Sequence, residues 1–400
     1  MKHFFAFFMV VLLFSCNRTT PSVKIEGNVS FSPIEITDNF CTIELSKDNF
    51  ENIADYIASV EYIPLDDKRL IGEMTQVVYS DGFYYILDRR VGQILAFDEQ
   101  GKFVREISHK GRAGNEYIQA WSIDILPQSG DIAIMDNLGS KILIFGRDGK
   151  HKYNIEVGIQ ATDAKFMQSD STVVYLMSAQ QNLGTPLSKY QIAVNSVGNK
   201  DYSASYRLRP VQDGYCGDHA LVKGSGRLLF KPIFSDSLYV VGQDASLKCA
   251  YHIDVPDSAW DRYHNYPKFV NLLDKDNQLF PWIFENENYL IAYTDYAKKL
   301  DPNGRMTTIM YDRREDKTHL FHMLDPNNEQ DLEYFFGFNV IGVKDDCFIS
   351  MISPSIIINS NLDSKIKQGK LKLKNKYLES AILKIEEYSN PILTVVKLKE

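Results

Sequence analysis

Histidine, tryptophan and cysteine are scarce in this chain, at 8, 3 and 5 residues of 400. Five cysteines are too few for a disulfide scaffold of this size. Cys41, Cys216, Cys249 and Cys347 are widely spaced, with no Cys-x-x-Cys pair to suggest zinc or a dithiol. Buried free thiols are the plainer expectation, and an oxidising compartment would permit a disulfide whose pairing the spacing leaves open. Positive charge is also short. Against 52 Asp+Glu stand 44 Lys+Arg, a net charge of −8 that argues against a nucleic-acid partner. After Phe14 no apolar run approaches the ~18 residues of a spanning helix. Gly-x-Ser-x-Gly, His-Glu-x-x-His, the P-loop and the dinucleotide fingerprint are all missing. Asp274-Lys-Asp-Asn277 lacks the Gly and distal Glu of a calcium loop. No metal and no cofactor is expected.

What the chain does have begins at its first residues. Lys2 and His3 precede an apolar run, Phe4 to Phe14, suited to the hydrophobic region of a secretory signal. The run ends Leu13-Phe-Ser-Cys16, which resembles the lipobox of bacterial lipoproteins. That resemblance implies a signal peptide over 1–15 and a diacylglycerol on Cys16, which becomes the mature N-terminus. Acyl chains partition into a bilayer at ~0.8 kcal/mol per buried methylene, so two or three hold a folded domain firmly. Residues 16–40 show little periodicity and read as a tether. No acidic run follows Cys16, which favours an envelope anchor facing the periplasm.

From Cys41 on, the texture is that of short strands. Val77–Asp88, Gln93–Lys102 and Phe103–Ile107 are matched by Ile125–Asp136, Lys141–Lys150 and Tyr153–Val157. Asp88 maps to Asp136, Phe97 to Phe145 and Gly101 to Gly149, each pair 48 residues apart. The unit is four strands with a Gly-containing hairpin before the last, the pattern of a β-propeller blade. Weaker copies start near Thr172, Arg227, Tyr289 and Phe338. The expected fold is therefore all-β: a single six-bladed propeller of four-stranded antiparallel blades over 41–400. Val60–Leu65 and Ile392–Leu398 are placed to close it within one blade. A small helical insertion is expected near 256–284. A C-terminal helix is expected over Lys376–Tyr388, with Leu378, Ala381, Ile382 and Ile385 on one face.

Five segments stand in an order that carries a family resemblance. They are Val60-Glu-Tyr-Ile-Pro-Leu65, the hairpin Phe97–Phe103, Gly111-Arg-Ala-Gly-Asn-Glu-Tyr117, Asp236-Ser-Leu-Tyr239 and the terminal Asn390–Lys399. Together they resemble the six-bladed β-propeller lipoproteins of Gram-negative gut-type bacteria, relatives of the NHL-repeat propellers. The resemblance implies the fold, an envelope location and a binding role, with no established reaction. The family usually carries Gly-Arg-Gly-Pro-Gly-Glu-Tyr where this chain has Gly-Arg-Ala-Gly-Asn-Glu-Tyr.

The loop from His109 to Tyr117 holds the densest polar chemistry and supplies the candidate ligand-binding residues His109, Arg112, Asn115, Glu116 and Tyr117. Arg112 suits a carboxylate or phosphate, Glu116 a sugar hydroxyl, and Tyr117 a ring face. The plainer reading makes the loop an inter-blade connection, with an internal Arg112–Glu116 ion pair and Tyr117 in the core. Asp88 and Asp136 end equivalent strands and are expected to cap the turns that follow. His319 and His322 point to opposite faces of one strand, so they cannot share a metal. The leading expectation is a lipid-anchored envelope propeller that binds a glycan, a small molecule or an envelope protein and is not an enzyme. A glycoside hydrolase or lyase with central carboxylates and a protein-interaction platform are the alternatives.

Overall fold

The computed structural model describes residues 23–35, 39–46, 49–178, 181–208, 220–232, 235–258, 279–294, 306–322 and 340–399. Four strands precede the repeats: β1 (Val29–Phe31), β2 (Ile34–Glu35), β3 (Cys41–Glu44) and β4 (Ile57–Pro64). Blade 1 holds β5 (Gln76–Ser80), β6 (Phe83–Asp88), β7 (Gln93–Asp98) and β8 (Phe103–His109). Blade 2 holds β9 (Ala120–Ile125), β10 (Ile132–Asp136), β11 (Lys141–Phe145) and β12 (His151–Glu156). Blade 3 is β13 (Asp163–Phe166), β14 (Thr172–Leu176), β15 (Tyr190–Ser196) and β16 (Tyr202–Arg207). Blade 4 is β17 (Leu221–Gly224), β18 (Arg227–Phe230), β19 (Ser237–Val241) and β20 (Leu247–Asp254). Blade 5 is β21 (Leu279–Glu285), β22 (Tyr289–Thr294), β23 (Thr307–Asp312) and β24 (Lys317–His322). Blade 6 takes β25 (Gly342–Lys344), β26 (Cys347–Ile352) and β27 (Ile392–Leu398), and β4 completes it.

The first strands of the blades stand next to one another around a closed ring, β5 to β9 to β13 to β17 to β21 to β25 and back to β5. The expected closure is present: β27 and β4 are antiparallel, with Leu393 opposite Ile63 and Val396 opposite Val60. The first two blades repeat in detail. Gly101 and Gly149 both take φ +79 in their hairpins, a left-handed conformation that glycine adopts without a Cβ penalty. Between blades the tyrosine and phenylalanine excess fills the wedges. Tyr84 and Phe97 of blade 1, for example, pack with Leu393 and Ile349 of blade 6, all fully buried. Each such side chain stabilises the fold by about 1.5–3 kcal/mol.

Three features depart from the sequence expectation. Within the stretch read as a tether, β1 pairs in parallel with β16, and β2 with β20, so residues from Val29 onward lie along the outer blade edges. Of the insertion expected near 256–284, Leu279–Glu285 is the innermost strand of blade 5, and 259–278 lie outside the described residues. Among the described residues the α-helices sit in blade 6. Between β26 and β27 come α1 (Pro354–Asn359), α2 (Leu362–Lys367) and α3 (Lys376–Ile382). The last starts where expected, capped by the Asn375 side chain on the Leu378 N–H at 3.0 Å, and buries Leu378, Ala381 and Ile382. It ends well before Tyr388. Cys41, Cys249 and Cys347 are free thiols, and Cys16 and Cys216 lie outside the described residues.

Candidate functional site

The blade repeat sorts the connections onto two faces. One face, here the upper, carries the turns between second and third strands and the crossovers from each outer strand to the next blade. The lower face carries the turns between first and second strands and the hairpins between third and fourth. The upper face holds the His109–Tyr117 loop, the helices of blade 6 and the turns after Asp88 and Asp136.

Those two aspartates organise the upper face of the first two blades. Asp88 is fully buried at the end of β6. It accepts hydrogen bonds from the N–H groups of Gly72 (2.7 Å), Glu73 (3.2 Å) and Val91 (3.0 Å) and from Gln93 Nε2 (3.0 Å). Asp136, likewise fully buried, accepts from the N–H groups of Ile118 (3.0 Å), Gln119 (2.9 Å) and Gly139 (3.0 Å). Each carboxylate thus pins its own turn and the preceding crossover together, the capping role expected of it.

The His109–Tyr117 loop is bound mostly to itself. Glu116 accepts from the Ala113 N–H at 2.9 Å and lies 3.0 Å from His109 Nε2. The Ala113 bond, with His109 beside it, holds the Glu116 carboxyl below its usual range. The internal pair is therefore His109–Glu116 and not Arg112–Glu116. Ser108 Oγ donates to Asn115 O at 2.9 Å, and Lys141 Nζ to Glu116 O at 3.0 Å. Tyr117 is 1% exposed and packs in the core; burial pushes its phenol up, and its hydroxyl has no hydrogen-bond partner among the described residues. Arg112 and Asn115 are exposed on the loop's outer side. The structure brings His109 and Glu116 together and separates Tyr117 from them.

Polar side chains cover the inner strand edges of blades 2 and 3. The free edges of the first strands need partners for their backbone groups. Gln76 supplies both for Ile123, Nε2 to its carbonyl and Oε1 to its N–H, each at 2.9 Å. Ser122 Oγ accepts from Ala164 N–H at 3.2 Å, and Asp124 from Phe166 N–H at 2.7 Å. Lys165 Nζ donates to Ile123 O at 3.0 Å and Lys223 Nζ to Ile125 O at 2.8 Å. The same lysines pair with carboxylates, Lys165 with Asp163 at 3.0 Å and Lys223 with Asp124 at 2.7 Å. Apart from Asp163, these partners lie in other blades and leave no local mark in the sequence. Elsewhere, hydrogen bonds from Tyr79 and Lys344 lower Glu99 as the Ala113 N–H lowers Glu116. Among the described residues no cluster of His, Cys, Asp and Glu could hold a metal. His319 is buried beside Glu51 at 2.9 Å, while His322 stacks on Phe50.

Apolar side chains stand exposed on the upper face. Val91, Leu138 and Leu183, exposed by 55%, 47% and 63%, occupy the turns between second and third strands of blades 1, 2 and 3. Leu70 and Ile118 on the adjoining crossovers are also exposed. The turns are linked: Val91 packs against the Gly72 backbone, Asn137 N–H donates to Gln119 O at 3.2 Å, and Gln181 Nε2 reaches Asn137 Oδ1 at 3.4 Å. Arg90 and Arg112 are exposed alongside. An apolar residue inside a polar turn is the sequence signal for this surface. Of the tryptophans, Trp121 lies under the Arg89 guanidinium at 4.8 Å, Trp282 is 38% exposed and stacked on Phe280, and Trp260 lies outside the described residues.

Six four-stranded blades closed into a ring define a six-bladed β-propeller. The chain belongs to the family described as a domain of unknown function, DUF4934, whose model matches residues 40–397. Among solved structures, an exported protein from Bacteroides fragilis is 17% identical with a TM-score of 0.71, over 90% of this chain and 100% of that one. A member of the DUF4221 family from Bacteroides vulgatus is 13% identical with a TM-score of 0.49, over 86% of this chain and 97% of its own. The first likeness is one of fold. No curated protein matches the sequence.

Proposed function

We propose that the protein is a lipid-anchored binding module of the bacterial envelope that takes a protein partner on its upper face. The observation that carries this reading is the set of exposed Val91, Leu138 and Leu183 on three successive turns, two of them pinned by buried aspartates. Scattered exposed apolar residues need no explanation, but one on each of three successive turns of the same face suits recognition. Arg90 and Arg112 beside them favour an apolar partner surface edged with carboxylates. The envelope location rests on the signal-like N-terminus and on the fold shared with an exported protein. The geometry of the anchor supports the same face. The chain before β1 lies against the lower-face hairpin of blade 3, with Asn28 N–H on Asp201 Oδ1 at 2.8 Å. From Cys16 to Val23 the chain spans roughly 25 Å at most. A lipid on Cys16 therefore leaves the upper face turned outward.

The test replaces Leu138 with a photo-reactive amino acid in the full chain in its host, and Lys150 on the lower face as control. A discrete adduct from position 138, absent from position 150 and lost in a Val91→Asp/Leu183→Asp variant, is the expected result. No adduct at 138, or one indifferent to that variant, overturns the assignment of the face. Mass spectrometry of the same membranes should find acylated Cys16; a soluble, unmodified chain would refute the anchor. The glycan reading keeps one observation, the exposed Trp282 stacked on Phe280. A catalytic reading through central carboxylates loses its support, since Asp124 and Asp163 are tied to lysines and the strand edges.

A further inference from the structure

One stretch of blade 6 carries charge of the opposite sign to the chain as a whole. Ser364–Leu378 holds six lysines, Lys365, Lys367, Lys370, Lys372, Lys374 and Lys376, and no Asp or Glu, in a chain of net charge −8. It lies on the upper face in the connection between β26 and β27, from within α2 to the first turn of α3.

The fold needs the leucines of this stretch and not its lysines. Gly369, at φ +68, turns the chain out of α2. Leu371 and Leu373 are then buried with Ile357, Leu362 and Leu378. Lys370, Lys372 and Lys374 alternate with them and are exposed. That alternation is the mark of an extended chain, so the ammonium groups leave one side of it about 7 Å apart. Few carboxylates answer the lysines. Lys367 pairs with Asp363 at 3.2 Å and Lys376 with Glu379 at 2.9 Å. Glu379 also accepts from the Leu373 N–H at 3.2 Å, so its carboxylate is occupied. Lys370 and Lys372 make no ion pair among the described residues. Charges of one sign this close repel, and Lys376 opens α3, where the helix dipole favours acids. A row of cations that the fold neither needs nor neutralises leaves a local positive field on the upper face.

The chemistry of the row narrows the anion. It contains no arginine, so no planar fork is set for a single phosphate or carboxylate. It offers point charges at a regular interval instead. An extended polypeptide presents alternate side chains on one side at that same interval. A segment with Asp or Glu at every second position therefore sets one carboxylate against each lysine of the row. The row also has an end. Beyond Asn375 and Tyr377 the neighbouring groove is bordered by Glu61 and Glu99, which turn carboxylates away. This corner is tied to the apolar turns of blade 1. The Asn390 side chain accepts from the Ile71 N–H and donates to Arg69 O, each at 2.8 Å, and Asp88 holds the next N–H, that of Gly72. We infer that the lysine row around Lys370 and Lys372 binds an extended acidic segment of the protein partner, an inference that rests on the partner reading above.

The probe is a labelled twelve-residue peptide of alternating Glu and Ser, followed by fluorescence anisotropy with the full chain at about 20 mM salt, where screening is weak. It should bind saturably, weaken at least tenfold at about 150 mM salt, and bind more tightly than an isomer with its glutamates in one block. Lys370→Glu/Lys372→Glu should abolish binding with an unchanged circular dichroism spectrum, since both side chains stand in water. Lys102→Glu/Lys150→Glu, the same change of charge on the lower-face hairpins, should leave binding intact. Equal loss in both variants would mean that net charge is read, and would overturn the site. Equal binding of the block isomer would overturn the match of spacing. Polygalacturonate competing as well as the peptide, at equal carboxylate concentration, would assign the row to acidic polysaccharide and overturn the peptide. The outcome is separable from the crosslinking test. An adduct at position 138 with no peptide binding overturns the row alone, and peptide binding without that adduct supports the row and overturns only the face assigned above.

Discussion

Lys231 shows how far one side chain can depart from its repeat. It follows Phe230 at the end of the second strand of blade 4, the place that Leu87 holds in blade 1 and Met135 in blade 2, one residue before the buried aspartates. The aspartates were readable because two copies of the repeat aligned without gaps. Lys231 was not, because the equivalent places in blades 1 and 2 are held by the apolar Leu87 and Met135. Its ammonium is 3% exposed and donates to Pro232 O at 3.0 Å. Burial pushes its pKa down to about 8, with Asp236 offsetting part of the effect. An unfolded lysine titrates near ~10.4. Between those values the unfolded chain binds the additional proton, so this group raises stability as pH rises from about 8 towards ~10. Below that window both states are protonated and the penalty for the buried charge is constant. Urea unfolding at pH 7, 8.5 and 10 should therefore show wild type gaining on Lys231→Met as pH increases. Parallel curves across that range would mean that the ammonium is not desolvated as described.

At the scale of elements, the hairpins and the closing strands were legible and the strap and two helices were not. Gly101 and Gly149 marked their hairpins by spacing and chemistry, and the structure distinguishes them by environment. A Cβ on Gly149 would sit 2.9 Å from Arg105 Cδ, the middle of a side chain that can swing away. A Cβ on Gly101 would sit 2.3 Å from the Pro64 carbonyl oxygen, backbone of the strand that closes the ring. Gly149→Ala should cost about 1–2 kcal/mol, the penalty for a left-handed non-glycine residue. Gly101→Ala should cost clearly more, because β4 must shift as well. Equal urea midpoints for the two variants would contradict the contact with β4. The helices were hidden for a different reason. Ile356-Ile357-Ile358 has the β-branched content of a strand. Pro354 at the first turn and the burial of Ile357 and Leu362 with Leu371, Leu373 and Leu378 override that local preference. Strands β1 and β2 are short and largely exposed, so no alternation betrays them. Their partners, β16 and β20, lie more than 150 residues away in the chain. The exposed apolar turns of the upper face and the residues that cover the inner strand edges share this obscurity, since their meaning comes from neighbouring blades.

In the whole molecule the strap has a mechanical logic. A propeller removes the inner edges of its sheets by ring closure, but each blade still ends in an outer strand with unpaired N–H and C=O groups. The N-terminal chain visits those edges in order: β1 on β16 of blade 3, β2 and β3 on β20 of blade 4, Phe50 bridged to Leu320 of β24 in blade 5, and then β4 as the outer strand of blade 6. Parallel pairing follows from geometry, because the strap runs along successive outer strands that share one direction. It also brings apolar cover. Ile43 is fully buried and Leu45 nearly so, packed with Leu238, Tyr251 and Ile253 of blade 4 and Leu320 of blade 5. Burial of the Ile43 side chain is worth about 1.5–3 kcal/mol. A chain beginning at Phe50 keeps β4 and hence the closed ring, yet uncovers β16 and β20. It should retain the far-ultraviolet spectrum of the propeller, unfold at lower temperature, and self-associate through the freed edges in light scattering. A chain beginning at Gly27, which keeps every strap strand, should match the full-length protein in both measurements. If the Phe50 variant is as stable and as monomeric as the Gly27 variant, the N-terminal strands are a passive leash and contribute nothing to holding the blades.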